Sequence, residues 1–326
     1  MERRIFMSNV MASWAAAGAS LREPTAEIEL VQTEPGSQLE PSRPRVSIGL
    51  PVYNGERFLE DAIRSILAQS YTDFELIISD NASTDRTREI CERYARRDAR
   101  IRYTRSPRNR GGAWNFSRVF ELARGEFFKW AAHDDILAPD YLRSCVAVLD
   151  GDPTLIVCHS GSRRIDESGR TTGVYLATVA AADPCERFRR AVKTTYPIEL
   201  FGVFKTSVLS ETNLMAPHPQ ADIDLLQQLV LLGNIGRVPE VLFSRRSHAE
   251  SYSEGTTAFR DRLNAMAPGR RTPYILFCVT RFLRLNMQVV RSPLPWSSRF
   301  RCLGLLLART AREVHRRLTG QPIIPE

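Results

Sequence analysis

Val46, Ile48 and Leu50 alternate with smaller residues and stop at Pro51, which predicts a short strand over 46–51. Phe58, Leu59, Ala62, Ile63, Ile66 and Leu67 then recur at three- and four-residue intervals, the spacing of one helix face. The same two periods keep exchanging downstream. Strands are predicted over 74–79, 100–104, 126–130 and 155–160, and helices over 84–96, 113–123 and 139–149. Short strands alternating with helices predict an α/β fold with a mainly parallel central sheet flanked by helices. Residues 1–43 show no such period. They are rich in Glu, Pro, Ser and Ala, and are expected to be a disordered leader. Its first residues faintly resemble a signal peptide, but Ser8, Asn9 and Ser13 interrupt the apolar run, so a flexible leader is the expectation, with Met7 and Met11 as alternative starts.

Sheets of this kind bind ligands outside the carboxyl ends of their strands, so the residues that directly follow each strand matter most. After the first come Pro51, Val52, Tyr53 and Asn54, a tight turn with one aromatic ring able to stack on a base. After the second come Asp80, which can accept hydrogen bonds from a base or ribose, then Ser83, Thr84 and Asp85, with Ser83 or Thr84 expected to cap the next helix. After the third come Asn109, Arg110, Gly111, Gly112 and Asn115, where glycines at a helix start let a phosphate approach backbone N–H groups and Arg110 adds a cation. After the fourth come His133, Asp134 and Asp135, adjacent carboxylates of the kind that hold Mg²⁺ or Mn²⁺ together with a substrate diphosphate. Each piece alone has a plainer reading, as a turn residue, helix cap or loop. Four of them in succession at one sheet edge describe a pocket for a base, a ribose, a diphosphate and a divalent metal.

These residues resemble the family-2 glycosyltransferases of the GT-A fold. The stretch VSIGLPVYNGERFLEDAIRSILAQSYTDFELIISDNASTD, followed by NRGGAWNF and FFKWAAHDDILAPDYL, carries the resemblance, which extends from Val46 to about His248. It implies a GT-A nucleotide-diphospho-sugar transferase domain over 44–256, with a nucleotide-sugar half (44–160) and an acceptor half (161–256). It also implies an inverting transfer from a nucleotide-diphosphate sugar to a saccharide or lipid-linked saccharide, in cell-surface polysaccharide, lipopolysaccharide or glycolipid biosynthesis. The sequence departs from the family pattern twice. The frequent Asp-Asp-Gly-Ser-x-Asp segment reads Asp80-Asn81-Ala82-Ser83-Thr84-Asp85. The frequent Asp-x-Asp-Asp motif reads Ala132-His133-Asp134-Asp135, so its first acid is missing and the metal would rest mainly on Asp134. In the acceptor half, Asp222 matches the catalytic-base position, with Asp224 as the alternative; both equally suit a helix start. Arg245, Arg246 and His248 match a basic segment that closes over the diphosphate, and the resemblance implies metal ligands among Asp134, Asp135, His133 and His248. A nucleotidyltransferase would need a Gly-rich loop ending in Arg where Pro51-Val52-Tyr53-Asn54 stands. A dinucleotide oxidoreductase would need GxGxxG. A binding module that has lost catalysis is favoured only by the missing acid.

Composition changes this picture at one end of the chain. The net charge of +8 is uneven: residues 257–326 hold 13 arginines against Asp261, Glu313 and Glu326, while residues 1–256 are slightly acidic. Helices are expected over 274–290 and 296–318, separated by Pro293 and Pro295. In the second, Phe300, Leu303, Leu307, Ala311, Val314 and Leu318 share a face flanked by arginines. A basic amphipathic helical region of this kind suits either an anionic membrane surface or plain packing on the domain. Nucleic acid is not expected, since no recognition motif accompanies the charge. The six cysteines are irregularly spaced and suit buried thiols in a reducing compartment. The expected location is cytoplasmic, with the cytoplasmic face of the inner membrane as the peripheral alternative.

Overall fold

Strand β2 (Val46–Val52) and strand β3 (Phe74–Asp80) are buried at every position, as expected of parallel strands covered on both faces. Around them, the computed structural model describes residues 29–30, 43–194, 197–249 and 259–319. The remaining strands are β1 (Glu29–Leu30), β4 (Ile101–Arg105), β5 (Phe127–Trp130), β6 (Ile136–Leu137), β7 (Leu155–Ile165), β8 (Thr171–Tyr175), β9 (Val203–Lys205) and β10 (Asn234–Arg246). Among the described residues they form one sheet in the order β1-β4-β3-β2-β5-β9-β7-β10-β6, with β8 paired on β7. Strands β4, β3, β2 and β5 are mutually parallel. Strand β9 enters antiparallel to both β5 and β7, so the sheet as a whole is mixed.

Helices α1 (Leu59–Leu67), α2 (Thr87–Ala95) and α4 (Tyr141–Gly151) cover one face, burying Leu59, Ile63, Ile66, Cys91, Leu142 and Cys145. The other face carries α3 (Gly112–Glu121), α5 (Pro184–Lys193) and α7 (Ala221–Leu232). The chain also forms a short α6 (Thr206–Ser210), a 3₁₀ turn (Ile198–Phe201), and then α8 (Phe259–Met266), α9 (Tyr274–Arg291) and α10 (Trp296–Thr319). Helices α9 and α10 join the second core through Leu285, Val289, Cys302 and Leu306. Each such side chain contributes about 1.5–3 kcal/mol by leaving water, so the C-terminal region is packed into the domain and is no loose appendage.

The predicted strands and helices of the first 160 residues all form, with ends shifted by a few residues. Strand β7 runs on to Ile165, because Arg163 and Arg164 pair with both β10 and β8. The expected leader is corrected at one point: Glu29 and Leu30 pair antiparallel with Arg105 and Thr104 of β4. The rest of 1–42 lies outside the described residues. Five of the six cysteines are buried free thiols, and Cys278 is half-buried.

Candidate functional site

Chain order places the site. From β2 the sheet grows through β3 and β4 to one side, then β5 is added on the other side of β2. The crevice outside the carboxyl ends of β2 and β5 is therefore the switch point where α/β sheets bind ligands.

At this edge the turns after β2 and β3 are laced together. Asn54 N–H donates to Ser83 Oγ at 2.9 Å, Thr84 N–H to Asn54 Oδ1 at 2.9 Å, Gly55 N–H to Thr87 Oγ1 at 2.8 Å, and Glu56 N–H to Asp85 Oδ2 at 3.0 Å. Ser83 and Thr84 therefore do not cap α2, which begins only at Thr87 and has no side-chain cap at its first residue. Asp85 instead receives the N–H of Thr87. Asn54, Ser83 and Asp85 build the wall of the crevice, and Tyr53 stands out from it, 44% exposed. Pro51 and Val52 are sheet residues. Two wall residues hold left-handed backbone, Asn54 at φ 52° and Ala82 at φ 64°. Asn tolerates this, whereas Ala does so at a cost of about 1–2 kcal/mol. Ala82 stands where the family motif commonly has Gly. Ala82→Gly is expected to stabilise the fold by roughly 0.5–1 kcal/mol after the entropy cost of Gly. Urea denaturation checks it, and a lower midpoint would refute the strain.

Asp80 was expected to meet a base or ribose directly. It is fully buried, and protein donors occupy both oxygens: Ser83 N–H at 2.8 Å on Oδ1, Tyr103 hydroxyl at 3.0 Å and Arg105 Nε at 3.1 Å on Oδ2. Tyr103 and Arg105 were not singled out from the sequence, although both alternate onto one face of β4. Asn115 acts as a clamp. Its amide donates to the carbonyls of Val52 and Ser79 and ties together the ends of β2 and β3. In the Asn109–Gly111 turn, the N–H groups of Arg110 and Gly111 go to the side chains of Asn81 and Asn109. Gly111 has φ 89°, and a Cβ there would lie 2.5 Å from the Met266 carbonyl. The absence of a side chain at Gly111 admits the end of α8. Arg110 lies over the Trp114 ring at 5.0 Å, and Asn109 is exposed at the rim.

On the β5 side, antiparallel pairing of β6 with β10, Leu137 opposite Phe243 and Ile136 opposite Ser244, brings the acidic loop against the end of β10. Asp134 Oδ2 lies 3.0 Å from His248 Nε2. Asp135 is buried and accepts the Arg246 N–H at 3.0 Å; burial, reinforced by the Asp134 charge, pushes its pKa well up. Arg246 is also buried. Its guanidinium donates to the carbonyls of Asp134 and Glu167, reaches Asp61, and covers the Phe58 ring at 4.5 Å. Arg246 and Asp135 therefore brace the loop beside Asp134. Arg245 is half-buried, in register with Arg164 of β7. His133 packs on Gly55, where a Cβ would lie 2.9 Å from its ring.

Among the described residues no group of three His, Cys, Asp or Glu side chains converges to hold a metal alone. Asp134 keeps a partly exposed carboxylate beside an imidazole. That donor pair fits a hard cation that takes its other ligands from a diphosphate and water.

The acceptor-half carboxylates occupy a second cluster at the start of α7. Asp224 is buried and accepts Arg281 Nε of α9 at 2.6 Å. Asp222 is partly exposed, and burial of its surroundings is the main cause that raises its pKa. Environment thus separates two residues that the sequence left as alternatives.

Residues 47–210, half of the chain, match the family described as glycosyl transferase family 2. The chain belongs to this family. It is 26% identical over 217 residues to chondroitin synthase of Escherichia coli, covering 64% of this chain and 30% of that protein. The matched part of the chain spans only 21% to 56% of the lengths of its curated relatives. TarS of S. aureus, crystallised with UDP, superposes with a TM-score of 0.59 at 17% identity, over 81% of this chain and 71% of that one. Mannosyltransferase PcManGT of Pyrobaculum calidifontis, in complex with GDP-Man and Mn²⁺, gives 0.50 at 19% identity, over 94% and 84%. At these identities the structures establish a shared GT-A fold. Among the described residues no helix is long and apolar enough to cross a membrane.

Proposed function

We propose that this glycosyltransferase moves a sugar from a nucleoside-diphosphate sugar to an acceptor hydroxyl with inversion, in the assembly of a cell-surface polysaccharide, lipopolysaccharide or glycolipid. The observation that carries the reading is the crevice at the switch point, where exposed Tyr53 and Asn109 share one sheet edge with the Asp134–His248 pair. Tyr53 offers a stacking face to the base, and Asn109 and Arg110 lie on the diphosphate side. Asp222 takes the proton from the acceptor hydroxyl as its oxygen bonds to the anomeric carbon. The bond from that carbon to the phosphate oxygen breaks, and the nucleoside diphosphate leaves from the opposite side. One base without a carboxylate nucleophile gives a single displacement. A divalent cation, Mg²⁺ or Mn²⁺, held by Asp134 and His248, would offset charge on the departing diphosphate. TarS with UDP and the mannosyltransferase with GDP-Man and Mn²⁺ support donor and metal of these classes. The test is a transfer and hydrolysis screen across UDP-, GDP- and dTDP-sugars with Mn²⁺. Turnover of one donor class is expected; no turnover of any would refute the assignment.

The same reading places the protein on the cytoplasmic face of an anionic membrane, near a lipid-linked acceptor. Helix α9 leaves Ile275, Leu276, Val279, Leu283 and Met287 exposed along one face, and α10 leaves Trp296, Phe300 and Leu307 exposed. Cys302 and Leu306 point into the core and Leu303 packs against it, so of the predicted face Phe300 and Leu307 are the residues turned outward. Some arginines of this region serve the fold: Arg301 pairs with Asp183, and Arg299 holds the carbonyls of Val290 and Leu294. The apolar stripe within a strongly basic segment suits an interfacial helix pair. Anionic vesicles are expected to sediment the wild type, and Leu283→Glu/Phe300→Glu is expected to remain in the supernatant. Equal partitioning of the two proteins would overturn the membrane contact.

A further inference from the structure

Helix α7 starts without support of the usual kind. Gln220, the residue before it, holds φ 69° and its side chain caps nothing, so within the first turn it is Asp222 Oδ1 that accepts the Ile223 N–H, at 2.9 Å. The support comes from α9, more than fifty residues away in the chain. Arg281 donates Nε to Asp224 Oδ1 at 2.6 Å, and both side chains are largely buried. His218 is wedged beside them. Its Nδ1 lies 2.7 Å from the Pro219 carbonyl, its Nε2 lies 2.9 Å from Arg284 Nη1, and that same Nε2 lies 3.6 Å from Asp224 Oδ2. With Nδ1–H donating to a carbonyl, Nε2 accepts from Arg284, which assigns the neutral tautomer. One turn further on, Gln288 of α9 donates to Gln228 of α7.

We propose that Arg281 is a positioning residue: through its ion pair with Asp224 it holds the first turn of α7, and with it Asp222, in place for proton removal from the acceptor. The inference rests on Asp222 being the base. It gives the C-terminal region a share in catalysis separate from any membrane contact. Geometric precision at a reacting group is worth far more in rate than in stability, and a displacement of about 1 Å costs roughly 10²-fold. The charged groups on the elements around Asp222 are Asp224 on its own helix, Arg281 and Arg284 of α9, and His218 before the helix. Glu199 of the 3₁₀ turn is occupied by the Val179 N–H, and Arg187 of α5 by carbonyls including that of Val230. Arg281 is thus the cation in direct contact with Asp224 next to the base, while Arg284 faces His218.

The experiment measures nucleoside diphosphate release between pH 5 and 9, from whichever UDP-, GDP- or dTDP-sugar the wild type hydrolyses, with water in the acceptor's place. Arg281→Ala is expected to lower kcat about tenfold, leave donor KM and UDP or GDP affinity within about twofold, and move the acid limb to higher pH. The sign follows because an unbalanced Asp224 charge makes Asp222 harder to ionise. Arg281→Lys is expected to recover most of kcat. In Arg281→Ala/Asp224→Asn the limb is expected to return. An unmoved kcat and acid limb in folded Arg281→Ala would overturn the proposal, as would parallel loss of nucleotide affinity and kcat. If Arg281→Ala fails to fold, Asp224→Asn decides: its acid limb is expected at lower pH, and an unmoved limb overturns the proposal. Asp222→Asn separates the two levels. Hydrolysis that survives it removes the base assignment itself, whereas hydrolysis lost there but unchanged in Arg281→Ala removes only the role of Arg281.

Discussion

Asp222→Asn is expected to lower kcat for sugar transfer by about 10²–10⁴-fold, the usual worth of a positioned general base. Nucleotide affinity is expected to stay at the wild-type level, because the residues that line the donor crevice belong to other elements. The substitution keeps shape and most hydrogen bonding, so the melting temperature should change little. Its pH behaviour follows from the environment of the residue. Burial raises the Asp222 pKa above the ordinary carboxylate value. A base works only when unprotonated, so the wild-type rate should fall as pH drops through a limb that lies higher than an exposed aspartate would give. A rate profile flat down to the ordinary carboxylate range, or near-normal transfer by the Asn variant, would move the base elsewhere.

Asp134→Ala is expected to abolish the stimulation of donor binding by Mn²⁺, with a loss of about 100-fold or more in nucleotide affinity when metal is present. The reason lies in the loop. Asp135 is buried with its carboxylate turned to the Arg246 N–H, so it cannot take over. His248 would lose the carboxylate that faces it at 3.0 Å. Without metal, wild type and variant are expected to bind nucleotide alike. Retained Mn²⁺ stimulation in the variant would put the cation on other residues.

Much of the fold was legible because its signals are local. The strands β2 to β5 and the helices between them follow from spacing alone, and the crevice follows from their order. The roles of individual residues were less legible. Asp80, Asp135 and Arg246 have the chemistry of ligand contacts, and their burial and long-range partners such as Arg105 and Glu167, which local pattern does not reveal, make them part of the scaffold of the crevice. Gly111 carries the local signature of a phosphate turn, and only tertiary packing shows Met266 lying against it. Spacing assigns no element to residues 161–220, although Asp183 followed by Pro184 and Glu186 is a helix-start signal, and Asp183 does accept the N–H groups of Cys185 and Glu186. The pairing of Arg281 with Asp224 spans 57 positions and leaves no trace in local pattern. The excess positive charge was located correctly by sequence, while its division between fold and surface needed the structure.

The central claim is that the crevice at the carboxyl ends of β2 and β5 binds a nucleoside diphosphate together with a divalent cation. Calorimetric titration of UDP, GDP and dTDP into the wild-type protein, with and without Mn²⁺, tests it most directly. Saturable one-site binding of one nucleotide, strengthened by Mn²⁺ and no longer strengthened in Asp134→Ala, is the expected result. No binding of any of the three in either condition, or binding indifferent to both Mn²⁺ and Asp134, would contradict it.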